Sequence, residues 1–118
     1  MEYQMVNDTP PGAVLEFPLT PQTAQRTVQD LANNHTHRVR FSTHARERMQ
    51  QRGVTLSQVF SVLCSRHSSF TEIPCQTPKG SWKFNLTGFA AGERLDVVID
   101  LRKIETSPEA YIVTVFFP

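Results

Sequence analysis

The sequence predicts an α+β fold: two or three N-terminal helices packed on a curved, mainly antiparallel four-stranded sheet. Two observations carry this expectation. Apolar residues between about 20 and 64 recur at helical spacing, and from Ser68 onward the period changes to two. Turn-forming clusters then separate the alternating runs by short intervals, which favours consecutive antiparallel strands with one face on the helices. A chain of 118 residues has room for one core and buries roughly two thirds of the surface its unfolded form exposes. Its 39% hydrophobic and 19% charged residues are ordinary for a globular protein, with eight Phe, one Trp and two Tyr as bulky core material.

Residues 1–19 contain Pro10, Pro11, Gly12 and Pro18 without a sustained period and read as an extended arm. A first helix follows, within an N-terminal helix and linker at 20–37. Thr20 is its cap, and Pro21 takes the first position, where a missing N–H costs nothing. Ala24, Val28 and Leu31 recur toward Asn33 and Asn34. Arg38 to Phe41 alternates polar with apolar and reads as an edge strand, and Ser42 or Thr43 offers a cap for a second helix, about Thr43 to Arg52. Gly53 ends it, since glycine enters the left-handed conformation without strain. A third helix opens with the capping box Thr55 and Gln58. Leu56, Val59, Phe60 and Leu63 fall at i, i+3, i+4 and i+7, and are assigned to the core.

In the second half, Phe70 and Ile73 flank a short strand. Trp82, Phe84 and Leu86 alternate in the next, and Leu95, Val97, Ile99 and Leu101 in a third. Ile112 to Phe117 makes a nearly continuous apolar fourth, expected inside the sheet and not at its edge. Turn signals stand at Pro78–Gly80, at 88–92 and at 107–109. Lys83, Asp96, Asp100 and Thr114 interrupt the apolar strands and belong to the face away from the helices.

The net charge of +1 does not announce a polyanion binder, but its distribution says more. Residues 1–30 carry Glu2, Asp8, Glu16 and Asp30 against Arg26. Residues 31–71 carry Arg38, Arg40, Arg46, Arg48, Arg52 and Arg66 against Glu47. A locally basic stretch of this kind attracts phosphates; the alternative is a solvated face of mixed charge. No run approaches the ~18 apolar residues of a membrane span, and the acidic, Pro-rich start lacks signal-peptide features, so the chain is expected to be cytoplasmic, with no membrane partner. Cys64 and Cys75 have no CxxC partner, which suggests neither a zinc site nor a disulfide framework. Cys64 with His67 three residues on is a weak catalytic pairing, and both cysteines are read as free thiols. No cofactor or metal is implied.

The second helix carries the chemistry. Ala45 and Met49 form its inward face, and beside them His44, Arg48 and Arg52 repeat every four residues as one polar stripe. Two arginines in successive turns repel each other mildly, so an anion between them is expected, either a protein carboxylate or a phosphate. Metal-free RNA cleavage needs a base for the 2′-hydroxyl, an acid for the leaving 5′-oxygen, and cations around the developing phosphorane charge. An imidazole suits a proton-transfer role, and two guanidiniums suit phosphate oxygens. The structural alternative is that His44 caps or bonds a backbone carbonyl, with the arginines tied to Asp96 or Asp100. No obvious second acid/base partner for His44 stands out.

The run Ser42-Thr43-His44-Ala45-Arg46-Glu47-Arg48-Met49-Gln50-Gln51-Arg52-Gly53-Val54-Thr55, followed by a meander ending in Val113-Thr114-Val115, resembles the bacterial family known as domain of unknown function 4258. Its hallmark is His-Ala, then Arg-Met, then Arg-Gly. The resemblance covers about residues 38–118. That family in turn resembles the RelE and barnase-like ribonuclease toxins, in which helices precede a curved antiparallel sheet, so 38–118 is expected to be a domain of that kind. The resemblance implies a metal-independent ribonuclease toxin of a bacterial toxin system or mobile element. His44, Arg48, Arg52 and Thr114 are its expected catalytic residues, and Arg46, Lys83 and Arg102 its expected substrate-binding residues. Its partners would be RNA, with or without the ribosome, and an antitoxin or immunity protein. The competing expectation is a non-catalytic module of a phage or mobile element that engages a host or antitoxin protein.

Overall fold

The computed structural model describes residues 18–118, so the arm expected at 1–19 lies almost wholly outside the described residues. Helix α1 spans Pro21–Asn34, capped by the Thr20 hydroxyl on the Thr23 N–H with Pro21 in the first turn. A 3-10 turn, Thr36–Arg38, leads into strand β1, Val39–Phe41. Helix α2 is Thr43–Arg52 and ends on Gly53, whose φ of 67° is left-handed. Helix α3 is Leu56–Cys64 and opens with both hydrogen bonds of the Thr55–Gln58 capping box. Strands β2 (Ser69–Gln76), β3 (Trp82–Ala90), β4 (Glu93–Arg102) and β5 (Glu109–Phe116) follow.

The sheet has five strands, not four, in the order β1-β5-β4-β3-β2. The meander β2 to β5 is antiparallel, and the three residues of β1 add a parallel edge beside β5, pairing Val39 with Ala110 and Phe41 with Ile112. β5 is therefore interior, which suits a strand that is apolar along most of its length. The fifth strand is the edge strand expected at Arg38 to Phe41; the 3-10 turn and Ser42 leave only three residues extended before α2, and Val39 buries against the core.

The register separates two faces. Trp82, Phe84 and Leu86 of β3 align with Leu101, Ile99 and Val97 of β4, and Ile99 and Val97 with Ile112 and Val115 of β5. These are buried under the helices together with Val28, Leu31, Ala45, Met49, Val59, Val62 and Leu63. Lys83, Asn85, Thr87, Asp96, Asp100, Arg102, Tyr111 and Thr114 occupy the alternate positions and form the opposite face, on which Asn85, Thr87 and Asp96 are buried.

Three expectations are corrected. Leu56 is 56% exposed rather than core, because it is the first residue of α3 and lies beyond the contact with the sheet; Val62 takes its share of the buried stripe. Ile73, expected to flank a short strand, lies inside the eight-residue β2 and is 65% exposed, because β2 is an edge strand whose pairing shifts between Phe70 and Cys75. The turn signal at Gly88 is a strand position: a side chain there would come within 2.5 Å of the Ser68 Oγ, so glycine serves close approach, and the turn itself is Ala91-Gly92.

Candidate functional site

The site begins with a β-bulge. Val98 pairs with Thr114 but Ile99 pairs with Ile112, so Val113 has no partner in the ladder on that side. Its carbonyl accepts a hydrogen bond from the Ser42 hydroxyl at 2.8 Å, while Ser42 Oγ itself accepts the Ala45 N–H at 2.9 Å as the cap of α2. The Ser42 N–H donates to the Ile112 carbonyl at 3.0 Å. One serine thus fastens the start of α2 to the bulge in β5, with His44 two residues beyond the fastening and Thr114 one residue beyond Val113.

From this anchor α2 lays Ala45 and Met49 on the sheet. His44 and Arg52 are exposed and Arg48 is half-buried against the helix layer. None of the three makes a hydrogen bond or ion pair among the described residues. The expected carboxylate between the arginines is not Asp96 or Asp100. Both carboxylates lie on the opposite face, across the sheet from the helices; Asp100 Oδ2 instead accepts Arg102 Nε at 3.0 Å, and Asp96 Oδ1 and Asp100 Oδ1 are buried without a hydrogen-bond partner among the described residues. Nor does His44 bond a backbone carbonyl.

The remaining candidates fall elsewhere. Arg46 is exposed on α2, about 200° around the axis from His44, and so lies off the stripe. Thr114 is half-buried on the sheet face away from the helices, paired with Val98. Lys83 and Arg102 are grouped around Asp100: Lys83 pairs with it across the ladder, and the Arg102 guanidinium lies 4.0 Å over the Tyr111 ring. No hydrogen bond or ion pair joins this group to the α2 stripe among the described residues. The structure therefore gathers His44, Arg48 and Arg52 in one place, links Thr114 to them only through the Ser42–Val113 bond, and assembles Lys83 and Arg102 separately.

Sequence reasoning saw Ser42 only as a cap. Its second bond depends on the bulge, which has no local signature. The alternation of β4 did place Asp96 and Asp100 together, and it also carries the signal for Arg102; Tyr111 joins them through cross-strand register alone. Cys64 does not form an activated pair with His67: burial raises its thiol pKa, which suppresses the thiolate, and no hydrogen bond links the two side chains. Among the described residues no three His, Cys, Asp or Glu are grouped to hold a metal ion, and no helix is long and apolar enough to cross a membrane.

A family model described as a domain of unknown function (DUF4258) matches residues 41–117, from the last residue of β1 through the sheet. The match includes α2 with its stripe, and both partners of the Ser42–Val113 bond. No curated protein and no solved structure matches the chain.

Proposed function

Because the chain belongs to the DUF4258 family, whose opening motif here is the α2 stripe, we propose that it is a metal-independent endoribonuclease of the RelE and barnase-like kind, acting as a toxin domain. The observation that carries this reading is the stripe itself: His44, Arg48 and Arg52 on successive turns of a helix whose start is tied to β5, with no hydrogen-bond or ion-pair partner among the described residues. Two guanidiniums held in line without a carboxylate present up to ten N–H donors to solvent, a surface suited to a phosphodiester.

In this reading His44 takes the proton of a ribose 2′-hydroxyl and the 2′-oxygen attacks the adjacent phosphorus. The bond from phosphorus to the 5′-oxygen breaks, leaving a 2′,3′-cyclic phosphate and a 5′-hydroxyl that receives its proton from solvent. Arg48 and Arg52 hold the phosphate oxygens as charge builds on them. With protonation of the leaving group left to water, turnover is slow. An antitoxin or immunity protein is the partner this activity calls for, with the basic flank of α2 as its target.

The test is to incubate the purified chain with labelled cellular RNA, with and without ribosomes, in EDTA, and to identify the fragment ends. Cyclic-phosphate ends that disappear in His44→Gln and fall by about 10²-fold or more in Arg48→Ala support the reading. Uncut RNA in every condition rejects it.

A further inference from the structure

Away from α2, the β2–β3 turn and the end of β4 enclose a pocket of about 350 Å³ lined by Lys79, Gly80, Ser81, Asp100, Arg102 and Lys103. Three of these six residues are cationic and one is acidic. The arrangement of the charges is specific. Asp100 Oδ2 engages Nε of Arg102, and Tyr111 lies under the guanidinium face, so the arginine is held from the side and from below. What this leaves outward is the pair of terminal NH₂ groups, the fork that fits two oxygens of an oxyanion.

Lys79 stands on the turn and makes no ion pair among the described residues. Lys103 Nζ is only within 4.0 Å of Glu109 Oε2 and is 62% exposed. Its backbone has φ 54°, a region that residues with a side chain seldom enter, and its carbonyl accepts the N–H groups of Thr106 and Ser107. A left-handed residue held by two hydrogen bonds turns the chain sharply at the rim of the pocket. Ser81 Oγ, bonded to Thr77 Oγ1, completes the lining with a hydroxyl. The opposing charges are Glu109 and Asp100, whose Oδ2 is engaged by Arg102 while its buried Oδ1 has no hydrogen-bond partner among the described residues.

We propose that this pocket is a second phosphate subsite, which takes a backbone phosphate of the RNA strand whose cleavage is assigned to the α2 stripe. The inference rests on the ribonuclease reading for the identity of the strand. Arg102 is the oriented fork, Lys79 and Lys103 are point charges on either side, and Asp100 is a positioning residue that acts through Arg102. The volume exceeds what one phosphate fills and admits the sugar attached to it.

The experiment measures binding apart from cleavage. The full chain is titrated into a fluorescent, fully 2′-O-methylated oligonucleotide, which lacks the attacking hydroxyl, at several salt concentrations. Arg102→Gln and the double variant Lys79→Ala/Lys103→Ala are expected to weaken binding by about tenfold and to flatten the salt dependence by about 0.7 per lost phosphate contact. Arg26→Ala, a cation on α1, is expected to bind as the parent chain does. Lys79→Ala alone, at an exposed turn, keeps the test valid where Arg102→Gln fails to fold. Asp100→Ala is expected to weaken binding while Asp100→Glu restores it in part.

Inorganic phosphate, compared with chloride at equal ionic strength, is expected to displace the strand. Pocket variants that bind like the parent chain, equal loss in Arg26→Ala, or a parent chain that binds no strand overturn the subsite. Uncut natural RNA with intact pocket-dependent binding rejects only the cleavage reading.

Discussion

The hydroxyl of Ser42 donates to a carbonyl that a bulge has removed from the sheet and accepts from the first turn of a helix. Replacing it with alanine removes the cap and leaves the half-buried Val113 carbonyl without a donor, at a cost of about 1–2 kcal/mol in urea unfolding. Ser42→Asp separates the two roles: a carboxylate caps well but cannot donate to Val113, so it is expected to rescue little of the loss. Both variants are also expected to lower any RNA cleavage, because the stripe hangs from this bond. The residues of the stripe were legible because spacing of four on a short, capped helix defines a face by itself. Ser42 as a fastener was not, because its partner lies 71 positions away at an irregularity of pairing. Cys64 gives a second residue-scale expectation. Its pKa is raised in the fold by burial, so below the ordinary thiol range folded and unfolded forms are both protonated and the thiol does not affect stability. As pH rises through that range the unfolded chain ionises first and stability falls. Alkylation of Cys64 is accordingly expected to lag behind that of exposed Cys75 in mass spectra of the native chain.

Among the elements, the β3–β4 hairpin carries opposite departures from a plain strand sequence. Gly88 is required by its neighbours: an added methyl meets Ser68 Oγ at 2.5 Å, and that hydroxyl is itself bonded to the Val62 carbonyl in the core. Gly88→Ala is expected to cost about 1–3 kcal/mol, read from the urea midpoint. Ala91, by contrast, sits at φ 53° in the turn, where its side chain is the disfavoured feature. Ala91→Asn creates the Asn-Gly pair that two-residue hairpins prefer, and is expected to raise stability by about 1 kcal/mol without touching the site. The same hairpin shows what sequence can and cannot tell at this scale. Alternation located β3 and β4 and their buried faces, because every second residue there answers to one core. It could not distinguish a glycine that turns the chain from one that admits a neighbour, and three residues of β1 were too few to reveal a parallel pairing with a strand seventy positions on. The exposed Leu56 and Ile73 have the same origin: periodicity reports a face, while the ends and edges of elements are decided by what lies opposite them.

At the scale of the whole molecule, the family match begins at residue 41, but the core does not. Leu19, Ala24, Val28, Leu31 and Ala32 lie in one buried cluster with Val59, Val62, Leu63 and the sheet. Gln25 Nε2 donates to the Ser68 carbonyl at 2.9 Å, and Gln29 Nε2 to that of Ser65, so α1 also holds the segment that leads into β2. Burying side chains the size of Val28 and Leu31 contributes about 1.5–3 kcal/mol each, which together approaches the lower end of the total stability of a domain. A chain that starts at residue 35 retains α2, the bulge and the stripe, yet exposes the apolar side of α3. It is expected to lose its cooperative urea transition and to bind a hydrophobic dye, whereas Val28→Ala in the full chain is expected to keep a single transition with the unfolding free energy lowered by about 2 kcal/mol. A sharp transition in the shortened chain at the parental midpoint would show instead that α1 is an appendage, and that the family unit folds on its own. Under the first outcome, α1 supports the fastening of α2 from the far side of the core, and damage to it lowers RNA cleavage without altering any residue of the stripe.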